Sequence, residues 1–143
     1  MTLHPDASAG YLVNHLARLF AAGLQARIQP LGLSTGVFPV MLQLWSQDGL
    51  TQTQLVGRIG VEQATMANTL ARMERDGLVI RRPDESDGRR RRVWLTDHAR
   101  QLEAGATAAA RAQNDLALAA LSEQERATLQ ALLRKSILTF PRT

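Results

Sequence analysis

Apolar residues recur every three or four positions over six stretches of the chain, which is the spacing of amphipathic α-helices. We predict helices over residues 8–29, 34–47, 52–59, 62–76, 98–121 and 123–139. The pattern changes after the fourth helix, where the apolar run Leu78–Ile80 leads into a turn-rich segment. Val93 and Leu95 then alternate with Arg92 and Trp94, and a period of two indicates a β-strand. The chain is therefore predicted to be mainly α with one small β-hairpin.

The central stretch from Thr51 to Gly77 carries boundary signals for two short helices. Thr51 and Gln54 form a T-x-x-Q capping box at the start of the first helix. Gly60 suits the left-handed conformation that ends this helix, and Gly77 suits the same role after the second. Two helices joined by a glycine-containing turn form a helix-turn-helix, and the hairpin that follows makes the unit winged. Modules of this kind bind DNA.

The second helix of this unit has one face without acidic residues. If Met66, Leu70 and Met73 face inward, the opposite side carries residue types that can bond base edges in the major groove. We assign to this DNA-reading face Gln63, Ala64, Thr65, Asn68, Thr69 and Arg72. The alternative is an ordinary solvated helix face. DNA reading is favoured because a solvent face would normally mix both signs of charge.

Arginines are concentrated in and next to the hairpin. Eight arginines and five acidic residues lie between Arg72 and Arg92. An arginine-bearing ribbon suits a narrow minor groove, whose negative potential attracts guanidinium groups. We assign to this wing contact Asp87, Arg89, Arg90 and Arg91. The alternative is that the arginines neutralise Asp84, Glu85 and Asp87. We expect both, with Asp87 holding one arginine in place.

The same region contains the motifs GLTQTQL, VEQATMANTLARMERDGLV and DGRRRRVWLT, preceded by PLGLSTGVFPVMLQLW. Together they resemble the MarR-type winged-helix transcriptional regulators of bacteria over most of the chain. The most specific motif is D-x-R followed by a strand and Leu-Thr, which maps Asp87 and Arg89 onto the wing pair of that family. Asn68 stands where many members have a basic residue, so their base preference need not carry over. Pro39 also departs from the usual pattern, and it is harmless only within the first turn of its helix.

The two ends of the chain are predicted to be amphipathic helices without a core of their own. Residues 34–99 form the predicted winged helix-turn-helix domain, which is too small to cover the apolar stripes of residues 1–33 and 100–143. A homodimer would bury these stripes between two copies. Its symmetry would place two recognition helices about 34–36 Å apart, matching successive turns of DNA. The alternative is a monomeric helical bundle.

The resemblance also implies a small aromatic or phenolic effector, bound between the dimerisation helices and the winged core. Aromatic, soft or hydrogen-bonding side chains near that junction are the candidates for its pocket. They are His15, Phe38, Met41 and Trp45. The alternative is that these residues belong to the core.

Composition narrows the remaining function classes. The 143 residues include 17 basic side chains, 13 acidic ones and no cysteine, which excludes disulfides and thiolate metal sites within this sequence. No apolar stretch approaches the roughly 18 residues that span a bilayer. The N-terminus lacks the features of a signal peptide. We therefore expect a reduced, cytoplasmic protein with no membrane partner.

Motifs for catalysis or metal binding are missing from the sequence. It contains no P-loop, dinucleotide-binding or H-E-x-x-H motif. His15 and His98 each lack a second ligand at i, i+4 spacing, so we expect no enzyme activity, cofactor or metal ion. The predicted function is a homodimeric repressor that a ligand releases from a pseudo-palindromic operator. Its rivals are a ligand-independent or activating DNA-binding protein of the same fold, and a helical interaction or carrier protein with an incidental basic hairpin.

Overall fold

The computed structural model of the protein describes residues 1–141, which contain seven α-helices and a small three-stranded sheet. The elements are α1 (Ala9–Ile28), α2 (Phe38–Ser46), β1 (Leu50–Thr51), α3 (Gln52–Ile59), α4 (Gln63–Arg75), β2 (Val79–Pro83), β3 (Arg91–Leu95), α5 (Asp97–Gln101), α6 (Glu103–Ala117) and α7 (Glu123–Ile137). Short 3-10 turns lie on either side of α1. The predicted fold class, mainly α with a small hairpin, is confirmed.

Side-chain caps and a glycine set the helix boundaries that the sequence predicts. Thr51 Oγ1 accepts a hydrogen bond from the Gln54 N–H at 3.1 Å, and Gln54 Oε1 accepts one from the Thr51 N–H at 2.9 Å. Ser122 begins α7 with an equivalent capping box. Gly60 lies in the turn between α3 and α4 with φ 81°, a left-handed conformation that disfavours residues with a Cβ atom. The helix-turn-helix therefore follows from local sequence.

β3 is the central strand of the antiparallel sheet, whose order is β1-β3-β2. β2 and β3 form the predicted hairpin, in which Val79 pairs with Leu95. The alternation along β3 is confirmed, because Val93 and Leu95 are buried whereas Arg92 and Trp94 are not. On the other edge, β1 pairs Leu50 with Val93. The sequence pattern misses β1, since two residues are too few to show a period.

One apolar core joins the winged unit to α1 and α6. The predicted inward stripe of α4 is confirmed, since Met66, Leu70 and Met73 are at most 1% exposed. Burial of side chains of this size stabilises the fold by about 1.5–3 kcal/mol each. The same core includes Ile28 and Ala106, so it extends across both predicted domain boundaries.

The prediction that α2 begins near residue 34 is wrong. Residues 34–37 form a turn in which the N–H groups of Val37 and Phe38 both bond to the Ser34 carbonyl at 3.2 Å. Pro39 consequently lies in the first turn of α2. Its missing N–H costs nothing there, because the first N–H groups of a helix have no intrahelical partner.

The long helix predicted over residues 98–121 is also wrong, because it breaks at Leu102 and ends at Ala117. Trp45 Nε1 donates to the Ala99 carbonyl at 3.0 Å, the group that would accept from the Glu103 N–H in a continuous helix. The Leu102 N–H bonds to the same carbonyl in a tighter turn. A tertiary contact thus overrides the high helix propensity of this alanine-rich segment.

Gly49 is expected to be the least replaceable of the turn glycines. It has φ 73°, and a Cβ atom there would lie 2.5 Å from Trp94 Cη2. Gly49→Ala should therefore lower the free energy of unfolding by more than the roughly 1–2 kcal/mol that left-handed alanine costs alone. Gly60→Ala is the matched control, since φ is 81° there and nothing lies within 4 Å of its added Cβ. Chemical denaturation measures both, and equal losses would contradict this packing of Trp94.

Candidate nucleic-acid interface

The face of α4 opposite the core is open to solvent. Five of its predicted DNA-reading residues are exposed: Gln63, Ala64, Thr65, Asn68 and Arg72. The first four lie on the N-terminal two turns of the helix, which is the part of a recognition helix that reaches base edges. Arg72 lies further along, and its guanidinium is next to the turn at Gly36.

Thr69 does not belong to this face. Its side chain is buried, with 7% of the residue exposed. Its hydroxyl donates a hydrogen bond to the Thr65 carbonyl at 2.9 Å, one turn earlier in the same helix. The prediction that groups Thr69 with the exposed residues is corrected, since neither its position nor its hydroxyl is free for a partner.

Two arginines of the hairpin have structural partners. Arg92 Nε donates to Asp84 Oδ1 at 3.1 Å, and Arg92 Nη1 donates to the Gly49 carbonyl at 2.7 Å. The first of these bonds holds the pKa of Asp84 below its usual value. Arg81 pairs with Glu74 on α4 at 3.3 Å, and this contact lowers the pKa of the Glu74 carboxyl. Arg81 therefore joins the hairpin to α4, and Arg92 joins its tip to the turn between α2 and β1.

The tip of the hairpin is organised by Asp87, as predicted. Asp87 Oδ1 accepts from the backbone N–H of Arg89 at 3.1 Å, and its other oxygen lies 3.7 Å from Arg90 Nε. Within residues 1–141, neither Arg89 nor Arg91 pairs with a carboxylate, and both are exposed. The run Arg89–Arg91 thus keeps two unpaired guanidinium groups beside a third, Arg90, that is only loosely held.

A cleft of about 410 Å³ joins this wing to the helix-turn-helix. One wall consists of Arg89, Arg90 and Arg91, and the opposite wall is the N-terminus of α3 together with Gln63. Gln52 Nε2 donates to Gln63 Oε1 at 3.1 Å across this second wall. The cleft lining contains no carboxylate, and the N-terminus of a helix adds positive potential.

The sequence analysis misses the contribution of α3 to this surface. Gln52 and Thr53 directly follow the capping residue Thr51, so they lie at the positive end of the helix. Their position directly after a capping residue is the sequence feature that could have indicated this contribution of α3. Only the tertiary arrangement brings these residues opposite the wing arginines.

A second concave surface lies between α1, α2, α6 and α7. It is an open groove of about 710 Å³ whose walls are mainly apolar side chains. They are Leu12, Val13, Leu16, Ala17, Phe20, Ala21, Leu24, Phe38, Pro39, Leu42, Ala110, Leu129 and Leu133, with Thr35, Gln113 and Asn114 as the polar members.

The structure places one of the four predicted pocket residues, Phe38, in this groove. Met41 is fully buried in the core. Trp45 is half-buried, with its ring edge-on to Phe38 at 6.1 Å and its N–H bonded to α5. His15 is exposed on α1 beside Tyr11 and does not line the groove. The predicted set is therefore corrected to a wall centred on α1 and Phe38.

Within residues 1–141, no three His, Cys, Asp or Glu side chains lie together in a way that could hold a metal ion. None of the helices in this part of the chain has the length and apolar character needed to cross a membrane.

A glycine-turned helix pair, an exposed second helix and a basic hairpin together define a winged helix-turn-helix DNA-binding protein. A profile of the MarR family matches residues 33–90. The transcriptional regulator HosA of Escherichia coli O127:H6 is 35% identical over 102 residues, covering 71% of this chain and 76% of that protein. The chain belongs to the MarR family of transcriptional regulators.

Solved structures agree with this assignment. A probable transcriptional regulator from Pseudomonas aeruginosa is 32% identical with a TM-score of 0.83, over 92% of this chain and 98% of that one. A MarR-family regulator from Listeria monocytogenes, solved in complex with a 26mer DNA, has a TM-score of 0.85 at 20% identity, over 92% and 88%. At that identity the second likeness shows the fold alone.

Arg89→Ala is expected to weaken DNA binding at every sequence, because an unpaired guanidinium at the wing tip attracts phosphates regardless of the bases. The slope of log K against log salt concentration should fall by about one unit. Fluorescence anisotropy with a labelled duplex at several salt concentrations measures this slope. Arg111→Ala on α6 removes the same charge away from the interface and should leave the slope unchanged. Equal slopes for wild type and Arg89→Ala would remove Arg89 from the contact.

Proposed function

We propose that this regulator is a homodimeric repressor, which occupies a pseudo-palindromic operator and leaves it when a small aromatic ligand binds. The observation that carries the DNA part is the cleft that brings Gln63 on α4 together with the arginines of the wing tip. Major-groove reading by the helix and minor-groove contact by the wing then use a single continuous surface. Residues 34–99 supply this surface. A protein that acts on operator DNA must lie in the same compartment as that DNA, so we propose a cytoplasmic location.

Among the proposed base-reading residues, Asn68 has the side chain with the most specific base pairing. Its side chain is exposed near the middle of α4, and no hydrogen bond within residues 1–141 engages it. A free side-chain amide can donate to N7 and accept from N6 of one adenine. Ala64 and the Thr65 methyl group lie on the preceding turn and suit contact with a thymine methyl group.

Asn68→Ala is expected to cost about 1–3 kcal/mol on the best operator and to relax the preference at one base position per half-site. The operator is first selected from a pool of random duplexes. Every base is then substituted in turn, and affinities are measured at one fixed salt concentration. Asn14→Ala, which removes the same side chain from α1, should bind like the wild type. A base preference unchanged by Asn68→Ala would exclude Asn68 from the readout.

The case for a homodimer rests on apolar surface that one chain leaves open. On α1, Leu12, Val13 and Leu19 are 46–57% exposed. At the end of α7, Ile137 and the following Leu138 are each 67% exposed, and no residue of the helix is buried. Apolar faces of this extent mark association sites. A second copy is the fitting occupant, because two-fold symmetry also supplies the second recognition helix. Residues 1–33 and 100–143 would provide this dimer contact.

Ile137→Asp is expected to convert the dimer into a monomer, because it buries a charge in the proposed interface. Ser136→Asp adds the same charge at the neighbouring exposed position and should remain dimeric. Sedimentation equilibrium distinguishes the 15.7 kDa chain from twice that mass. A monomeric wild-type protein at micromolar concentration would overturn the dimer proposal.

The groove between α1, α2, α6 and α7 is the ligand site that we favour. Its volume lies within the range of small-molecule pockets. Two of its wall residues, Leu12 and Val13, also belong to the exposed face that we assign to the dimer. A ligand in the groove would therefore act where the spacing of the two copies is set. The ligand releases DNA if it binds more tightly to a dimer whose recognition helices do not match successive turns of DNA than to the dimer whose helices do.

The groove lining favours a neutral ligand. It contains no Lys, Arg, His, Asp or Glu side chain, and its polar groups are Thr35, Gln113 and Asn114. The nearest charge that bonds to the lining, Arg27, donates to Gln113 Oε1 at 3.2 Å and is not itself part of the groove wall. A carboxylate against these walls would lose hydration without a charged partner in the lining. A phenol hydroxyl or an amide could instead bond to one of the polar lining residues.

Methyl 4-hydroxybenzoate is accordingly expected to release the operator at lower concentration than 4-hydroxybenzoate at pH 7. Ala110→Leu narrows the groove and should abolish the response. Ala104→Leu makes the same change at an exposed position of α6 outside the groove and should not. Anisotropy of a labelled operator during ligand titration measures all three. A response to the acid at least equal to that of the ester would contradict a neutral ligand.

A further inference from the structure

We propose that Gln52, outside the recognition helix, is a positioning residue that selects the base read by Gln63. It does so by holding the Gln63 side-chain amide in one orientation. This inference rests on the proposed reading of DNA by α4 and concerns how one position of that readout is specified.

The geometry places the two glutamines at equivalent points of the helix-turn-helix. Gln52 is the first residue of α3 and Gln63 is the first residue of α4. The bond from Gln52 Nε2 to Gln63 Oε1, at 3.1 Å, spans the turn at Gly60. Among the described residues, Gln63 Nε2 has no partner within the chain, so the donor end of this amide remains available.

The surroundings of Gln52 favour one of the two possible orientations of its side-chain amide. Gln54, the other glutamine at the start of α3, is already committed to the capping box with Thr51. The cleft bordered by Arg89, Arg90 and Arg91 has positive potential, which favours the Gln52 carbonyl oxygen on the cleft side. The Gln52 Nε2 group is then directed to Gln63, as the structure has it.

A glutamine with both amide ends free can bond adenine at two points, through its donor and its acceptor. The bond from Gln52 to Gln63 Oε1 changes which groups Gln63 can offer to a base. Gln52 occupies one of the two lone pairs of Oε1 and holds that end of the amide towards α3, so the two N–H bonds of Nε2 become the main groups offered to the major groove. Guanine presents two acceptors there, O6 and N7, whereas cytosine presents a donor. Guanine is therefore the base expected opposite Gln63.

Gln52→Glu tests this directly, because an ionised carboxylate only accepts hydrogen bonds. Gln63 must then donate Nε2 to residue 52, which turns its Oε1 outward and favours a base with a major-groove donor, cytosine or adenine. Gln52→Leu removes the bond at similar size and should leave the position with little preference. Thr53→Glu is the matched charge control, since it adds a carboxylate at the next position of the same cleft.

The readout is the base preference at each operator position, measured on the panel of singly substituted operators. In the wild type, guanine at one position should exceed cytosine by about tenfold in affinity. The ratio of the affinity for guanine to the affinity for cytosine at this position should fall below one for Gln52→Glu. It should stay at the wild-type value for Thr53→Glu. In a Gln63→Ala background, changes at Gln52 should have no effect on preference, as coupling through Gln63 requires.

Two outcomes would overturn the inference while leaving DNA binding intact. One is an identical base preference for Gln52→Glu and Thr53→Glu, which would reduce the glutamine pair to a support for the turn. The other is a shift in preference that persists in the Gln63→Ala background, which would make Gln52 itself the reader. Failure of the wild-type protein to select any duplex would overturn this inference together with the proposed function.

Discussion

The position of the wing depends on one junction, where the chain leaves α2 and meets β3. Asp48 Oδ1 accepts from the Leu95 N–H at 2.9 Å, and Asp48 Oδ2 accepts from Arg100 Nη2 at 3.0 Å. The Gly49 carbonyl accepts from Arg92 Nη1. These bonds connect the end of α2, the central strand and α5 within two consecutive residues. Together with the Arg81–Glu74 pair on α4, they hold the hairpin in one orientation relative to the helix-turn-helix.

The hairpin separates two uses of the same side chain. Arg81 pairs with Glu74 and joins the hairpin to α4, whereas Arg92 bonds to Asp84 within the hairpin and to the Gly49 carbonyl before β1. Arg89 is unpaired at the tip and can contact a partner. Sequence alone cannot make this division, because a run of consecutive arginines looks uniform. Tertiary contacts decide it, since only the folded chain brings a carboxylate beside Arg81 and Arg92.

Predictions that rest on local signals were the accurate ones. The capping boxes, the glycine turn and the inward stripe of α4 all depend on residues within a few positions of each other. The errors come from distant contacts. The break at Leu102 involves the bond from Trp45 to Ala99, 54 residues apart in sequence. Thr69 lies on the polar side by residue type, yet packing buries it. The groove walls depend on how α1, α2, α6 and α7 pack together, and Phe38 and Met41 are both buried although only Phe38 lines the groove.

The basic surface consists almost entirely of arginine, since Lys135 is the one lysine in the chain. A guanidinium group keeps its proton throughout the range in which proteins remain folded, whereas a lysine amine loses its proton at alkaline pH and can be acetylated. The positive charge at the wing is therefore constant. Neither alkaline stress nor enzymatic acylation of amines removes this charge, so its attraction for a nucleic acid varies with ionic strength and not with the protonation of the side chains.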